Sequence, residues 1–188
     1  MKNKYTKGDY LYLQNKKKME MIKTIVFFGV SAALYLAGYI TTGSNKNYLT
    51  IVAVLGCLPA SKSAVSMIMY LKAKGCSEAV YKTISGRIGE KTGTYNLYFT
   101  SYDKNYDVSH VFVKGMTMIA FTENAKISEA GFEEHIKTVL GRDAIKGVNV
   151  KLYKDLDKYL TRIEQMQNLE NEKSREEDIM KNLFAVSL

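Results

Sequence analysis

Two apolar runs, Thr24 to Ile40 and Tyr48 to Leu71, joined by the polar stretch TTGSNKN, constrain this chain more than anything else in it. The first, TIVFFGVSAALYLAGYI, carries no charge, and the second carries only Lys62. About 20 mostly apolar residues suffice for a helix to cross a hydrocarbon layer of about 30 Å. A seven-residue connection makes the two helices antiparallel neighbours, so the pattern predicts an α-helical transmembrane hairpin over residues 24–71. A cleaved signal peptide is the competing explanation for a basic leader and an apolar stretch. The run is longer than a signal core and a second one follows at once, so a retained hairpin is expected.

Charge is distributed to match. The formal net charge is +8, but residues 1–23 hold seven Lys against Asp9 and Glu20, whereas from Lys72 onward 18 basic residues face 17 acidic ones. The excess therefore belongs to a basic leader, 1–23, and the soluble part lacks the footprint of nucleic-acid binding. Lysines 16, 17, 18 and 23 precede the first span and Lys72 and Lys74 follow the second, while the connection holds only Lys46. The positive-inside rule places both termini in the cytoplasm of a cell whose inner or plasma membrane holds the hairpin.

Within the spans, Gly29, Ala33 and Ala37 repeat at every fourth residue, as do Gly56, Ala60 and Ala64. Such stripes allow close approach of another backbone, either the other span of the hairpin or a second copy of the chain. Lys62 is the one ionisable group inside a span, and antiparallel pairing sets it level with Phe27, near the inner boundary. It either snorkels to the headgroups or lines an oligomeric pore that favours anions. Pro59, the chain's single proline, predicts a kink, since it removes a donor and crowds the carbonyl of Leu55. Cys57 and Cys76 suggest neither a disulfide framework nor a zinc site.

The remainder, 75–167, reads as a small α/β domain of order α-β-β-β-α-β-α on the cytosolic side. Ser77 caps a helix to about Ser85, and GRIGEKTGT reads as a loop without the Walker spacing. Strands are expected over Tyr95–Tyr102, Asp107–Val113 and Met116–Thr122, the last two apolar on both faces and therefore central. A helix follows from Ser128 to Leu140, stopped by Gly141 and stapled by Ile127 against Phe132. Then come a strand over Val148–Tyr153 and a helix opened by Asp155. Residues 168–188 form a charged helix or tail whose apolar end, IMKNLFAVSL, docks on the domain or on a neighbour.

That order, centred on YDVSHVFVKGMTMIAFTEN, resembles the core of the restriction-endonuclease-like superfamily, the PD-(D/E)XK type, particularly its nuclease-related domains. The resemblance spans roughly residues 77–153. It implies a metal-binding Asp at Asp107 and a Glu-x-Lys at the end of the next strand, where this chain has Ala120 and Thr122. Glu123 is adjacent, but a one-residue slip along a strand reverses the face. Asp107 is then the remnant of a degenerate site, and no cofactor or metal is indicated. His110 and His135 read as packing or surface residues. Three functions follow: a membrane-anchored, non-catalytic module binding a cytosolic protein or small ligand; an oligomeric pore or membrane effector; and a membrane-tethered nuclease.

Overall fold

The computed structural model describes residues 5–89, 92–101, 104–143, 145–167 and 173–188. They form two compact units. One is residues 13–73; the other joins residues 5–12 to residues 74–188.

The first unit is a helical hairpin. Helix α1 runs Tyr12–Thr42 and α2 runs Tyr48–Lys72. Helix α1 begins within the basic leader: Leu13, Gln14, Lys16–Lys18, Met19 and Glu20 are good helix formers with no glycine or proline among them, and α1 continues back through them. Asn47 caps α2, its Oδ1 accepting the Thr50 N–H at 2.8 Å. Helix α2 passes Pro59 without a break.

The helices meet along a seven-residue repeat that the every-fourth-residue stripes do not reveal. Thr24, Ser31 and Gly38 are the buried positions of α1 above Glu20. Facing them are Ser63, Gly56 and Leu49. The Thr24 hydroxyl donates to the Glu20 carbonyl at 2.8 Å and lies 3.0 Å from Ser63 Oγ, so Ser63 is the donor of that pair. A methyl group on Gly56 would come within 2.7 Å of Ser31 Oγ, and one on Gly38 within 2.9 Å of Leu49 Cβ. A seven-residue seam of this kind is the geometry of helices packed at a shallow left-handed angle.

This seam separates the two stripes. Ala60 is fully buried and Gly56 and Ala64 are half-buried against α1. Gly29, Ala33 and Ala37 are exposed, and nothing lies within 4 Å of a methyl placed on Gly29. On a 3.6-residue period they point away from α2. The stripe of α2 closes the hairpin and that of α1 does not. The seam also places Lys62 level with Ile25 rather than Phe27, on the exposed face of α2.

The second unit is a three-layer α/β structure. Helix α3 runs Glu78–Ile88, β1 Thr94–Thr100, β2 Asn105–Lys114, β3 Thr117–Phe121, α4 Glu129–Arg142, β4 Asn149–Tyr153, α5 Leu156–Gln167 and α6 Lys173–Val186. The sheet order is β1-β2-β3-β4, antiparallel through the first three strands and parallel between β3 and β4. Strands β2 and β3 are central and covered on both faces. Leu97, Val108, Val111, Met118 and Ala120 pack with Phe132, Ile136 and Leu140 of α4 and with Ile179 and Leu183 of α6. Tyr95, Phe112, Ile119 and Phe121 pack on the other face with Ile84 of α3 and Tyr159, Leu160, Ile163 and Met166 of α5.

Several element ends differ from expectation. Helix α3 continues to Ile88 because Gly86 is tolerated in its exposed last turn, so the first residues of GRIGEKTGT are helical and Gly89, at φ +92°, ends it. Gly141 does not stop α4, which ends at Asp143. The expected turn residue Asp103, the end of the first strand at Tyr102 and residues 168–172 lie outside the described residues. The unit is wider than residues 75–167. Helix α6 contributes two fully buried side chains to its core, and residues 5–12 are part of it.

The hairpin seam generates a test. Gly56→Leu drives a side chain into Ser31 and should lower the thermal midpoint of the purified full chain, by an amount equivalent to about 1–3 kcal/mol for overpacking. Gly29→Leu should leave it unchanged, and equal effects of the two would contradict the seam.

Candidate functional site

Asp107 begins the inner part of β2, and its carboxylate points at the chain entering the α/β unit. Oδ2 accepts the Lys74 N–H at 2.7 Å, and the Gly75 N–H reaches Oδ1 and Oδ2 at 3.2 and 3.3 Å. The next two amides are captured in turn. The Cys76 N–H donates to Asn96 Oδ1 at 2.6 Å, and the Ser77 N–H to Glu123 Oε1 at 2.9 Å. Four consecutive backbone donors thus meet three acceptor side chains from β1, β2 and the residues after β3. Ser77 Oγ then accepts the Val80 N–H at 3.3 Å and starts α3.

Asn96 is the unusual member. It is 5% exposed and has φ +59° inside a strand, the left-handed conformation that asparagine tolerates better than most residues. That geometry turns its amide to serve two segments. Its Oδ1 holds Cys76, and its Nδ2 donates to the Tyr10 carbonyl at 2.6 Å. Beside it the Tyr95 N–H donates to the Gly8 carbonyl at 2.7 Å. Tyr10 stacks on Tyr81 with ring centroids 3.9 Å apart, and Lys7 Nζ donates to the carbonyls of Phe184 and Ser187, each at 2.6 Å.

Asp107, Glu123, Ser109, Cys76 and Lys126 line a cleft of about 490 Å³. Its chemistry is restricted. Both Asp107 oxygens accept backbone donors, and a carboxylate so occupied is a structural clamp. Burial, reinforced by the negative charge of Glu123 and then of Asp107, pushes the Cys76 thiol up to about 12, so it stays protonated and is no nucleophile. Among the described residues no group of three or more His, Cys, Asp or Glu is placed to hold a metal ion. Ala120 is fully buried, and Thr122 is 1% exposed with its hydroxyl donating to the Asp107 carbonyl at 2.7 Å. Glu123 shares the cleft with Asp107, which strict strand alternation would forbid. Strand β3 ends at Phe121, so the alternation does not reach residue 123.

A second polar group is buried on the α5 side of the sheet. His110 is fully buried, with Nε2 2.9 Å from the Thr92 carbonyl and Nδ1 2.7 Å from the Tyr159 hydroxyl. A carbonyl only accepts, so Nε2 carries the proton and Nδ1 accepts from Tyr159. Burial lowers the imidazole from 6.5 to about 4 and raises the Tyr159 phenol well above 10, keeping both neutral. Gly93, at φ +82°, closes over this pair: a methyl there would lie 2.5 Å from His110 Cε1. His135 stacks on Tyr106 with centroids 5.4 Å apart, on the α4 side of the sheet, so the two histidines do not form a dyad.

Of the residues named from the sequence, Asp107 was the candidate site residue, and Cys76, Ser77, Thr122 and Glu123, named for other reasons, join it in this network. Asn96, Glu123, Tyr10 and the amides of 74–77 carry no motif. The one legible signal was a polar residue in the middle of an otherwise apolar, aromatic strand, TYNLYFT. Comparison of the chain with models of known families, with curated proteins and with solved structures found no match.

Two outcomes follow from this geometry. Asn96→Ala leaves the buried Cys76 amide without its acceptor and should destabilise the full chain by about 1–3 kcal/mol. Asn96→Gly, free of the conformational penalty at φ +59°, should lose most of the same amount if the bonds matter more than the backbone. Denaturation followed by tyrosine near-ultraviolet circular dichroism measures both. For His110 the folded value lies below the unfolded one, so its contribution is complete above pH 6.5 and is lost as pH falls toward 4, on the order of 3 kcal/mol at most. The thermal midpoint should fall over that window, and by less in His110→Gln.

Proposed function

We propose that the chain is a membrane-anchored, non-catalytic module. Its helical hairpin crosses a bilayer twice, and its α/β unit lies on the cytosolic side, where it binds a protein or small ligand. The observation that carries this is the distribution of apolar surface. Every exposed large apolar side chain among the described residues falls between Leu11 and Leu71, from Ile25 at 65% to Ile40 at 78% and Tyr48 at 87% exposed. In water these side chains would be an aggregation surface, and in hydrocarbon they are solvated. The α/β unit has buried its own apolar residues.

Connectivity supports the two-crossing arrangement independently of charge. Residues 5–12 precede α1 and residues 74–188 follow α2, yet both belong to one compact unit. A chain that leaves and re-enters the same folded unit must return to the side it left. The lysine asymmetry then makes that side the cytosol.

The catalytic alternative has little support in the cleft. Asp107 spends both oxygens on backbone amides, and the Glu-x-Lys positions of a restriction-endonuclease-like site are the buried Ala120 and Thr122. An oligomeric membrane effector is the second reading, favoured by the outward stripe of Gly29, Ala33 and Ala37 and by the exposed Lys62.

Cysteine labelling in cells tests the arrangement. With Cys57 and Cys76 replaced by serine, Ser44→Cys should react with an impermeant maleimide from outside. Thr138→Cys, on the exposed side of α4, should react only after permeabilisation. The reverse pattern would sink the topology. Incubation of the purified full chain with Mg²⁺ or Mn²⁺ and single- or double-stranded DNA or RNA should yield no cleavage. Cleavage abolished by Glu123→Gln would restore the nuclease alternative.

A further inference from the structure

Five lysines at the open end of the hairpin divide into two groups. Lys16 and Lys23 are spent on Glu20, their Nζ atoms 3.2 and 2.9 Å from its Oε1, and Lys16 also lies 5.9 Å from the Tyr70 ring centroid. Lys18, Lys62 and Lys72 are exposed, and their ammonium groups have no hydrogen bond or ion pair among the described residues. The seam that pairs Thr24 with Ser63 sets Lys62 level with Ile25 and Lys72 level with Asn15. At 1.5 Å per residue the three charges fall within about 15 Å along the hairpin axis. They lie on outward faces of both helices, so they ring the hairpin and line no cleft.

We propose that this ring binds the phosphates of anionic phospholipids, with Lys62 as its deepest contact. The proposal rests on the bilayer reading above and adds the class of lipid. Charge complementarity selects an anion, and the neighbours of the lysines select a lipid. Ile22, Ile25, Leu58, Val65, Ile68 and Leu71 are all exposed at the same levels or one to two turns deeper. A nucleic acid or an acidic peptide could pair with the ammonium groups but would leave those side chains in water. A phospholipid supplies phosphate for the charges and acyl chains for the apolar surface beneath them. The four-carbon stem of Lys62 runs along that apolar surface while its head reaches the phosphate level. The far end of the hairpin offers only Lys46, so the preference belongs to one leaflet.

The test uses the full chain in phosphatidylcholine vesicles carrying a trace of spin-labelled phosphatidylglycerol or spin-labelled phosphatidylcholine. The motionally restricted spectral component gives the relative association of each lipid with the protein. Each lysine near an anionic surface contributes roughly fivefold. Wild type should prefer phosphatidylglycerol at least several-fold, and the combined variant Lys18→Gln, Lys62→Gln, Lys72→Gln should bring the ratio close to one. Lys62→Gln alone should account for a measurable share, and Lys46→Gln should change nothing. Equal association of the two lipids with wild type would overturn the proposal, as would a preference that the triple variant retains. Displacement of the labelled lipid by inorganic phosphate, beyond the effect of chloride at equal ionic strength, would assign the ring to a soluble anion and overturn it too. Release of the protein from the vesicles by alkaline carbonate would instead overturn the bilayer reading, and this proposal with it.

Discussion

The α/β unit depends on one side-chain amide. Asn96 donates to the carbonyl of Tyr10 and accepts from the amide of Cys76, so the last residues before α1 and the first after α2 are bonded to the same strand. Neither segment has regular structure at that point, and each carries backbone groups that must be satisfied once buried. Asp107 and Glu123 complete the set by taking the amides on either side of Cys76. A strand residue with an ordinary extended backbone could not aim one amide at both segments. The positive φ of Asn96 is therefore the local strain through which two distant stretches of chain enter one fold.

Polar groups that elsewhere would suggest chemistry are here used up in construction. Two neighbouring carboxylates, a thiol and a histidine–tyrosine pair would make a plausible catalytic inventory if read from a list of residue types. Their environments say otherwise. The thiol and the phenol are held protonated by burial, the imidazole is held neutral, and the carboxylates face backbone donors. Low dielectric strengthens the buried bonds, those of Asn96 to Cys76 and of Tyr159 to His110, and makes those partners costly to remove. The same network thus accounts for how the entering chain is held against the sheet.

Much of the architecture was legible because it rests on periodicity. The two apolar helices, the order of strands, the central position of β2 and β3 and the caps at Ser77 and Ser128 follow from hydrophobic pattern and short-range chemistry. What was not legible rests on long-range pairing. The every-fourth-residue stripes were visible, but which of them faces the partner helix was decided by hydroxyls at Thr24, Ser31 and Ser63, whose seven-residue spacing is hidden among other small residues. The site reading failed similarly. Asp107 was found through a family pattern, whereas its actual partners are backbone amides, which no side-chain motif records. The apolar end of the tail was expected to dock on the domain or on a neighbour, and Ile179 and Leu183 lie in the core of the domain. The leader was set apart by its charge, although Tyr10 packs against that core.

The bonds from Lys7 to the carbonyls of Phe184 and Ser187 span 177 and 180 positions of the chain. Strand β1 is sealed from both directions, by the Gly8 carbonyl on Tyr95 and by the Leu188 amide on the Tyr98 carbonyl. During synthesis the segment that supplies Gly8 emerges before β1 and the one that supplies Leu188 after it, with both hydrophobic helices made between Gly8 and β1. Contacts so distant in sequence slow folding more than they cost stability, because loop-closure entropy grows only slowly with length. The edge of β1 is therefore closed in full only once the chain has passed α6. The seal from Gly8 can form as soon as β1 is made, whereas the one from Leu188 waits for α6, so the order of the chain sets the order in which one edge is closed.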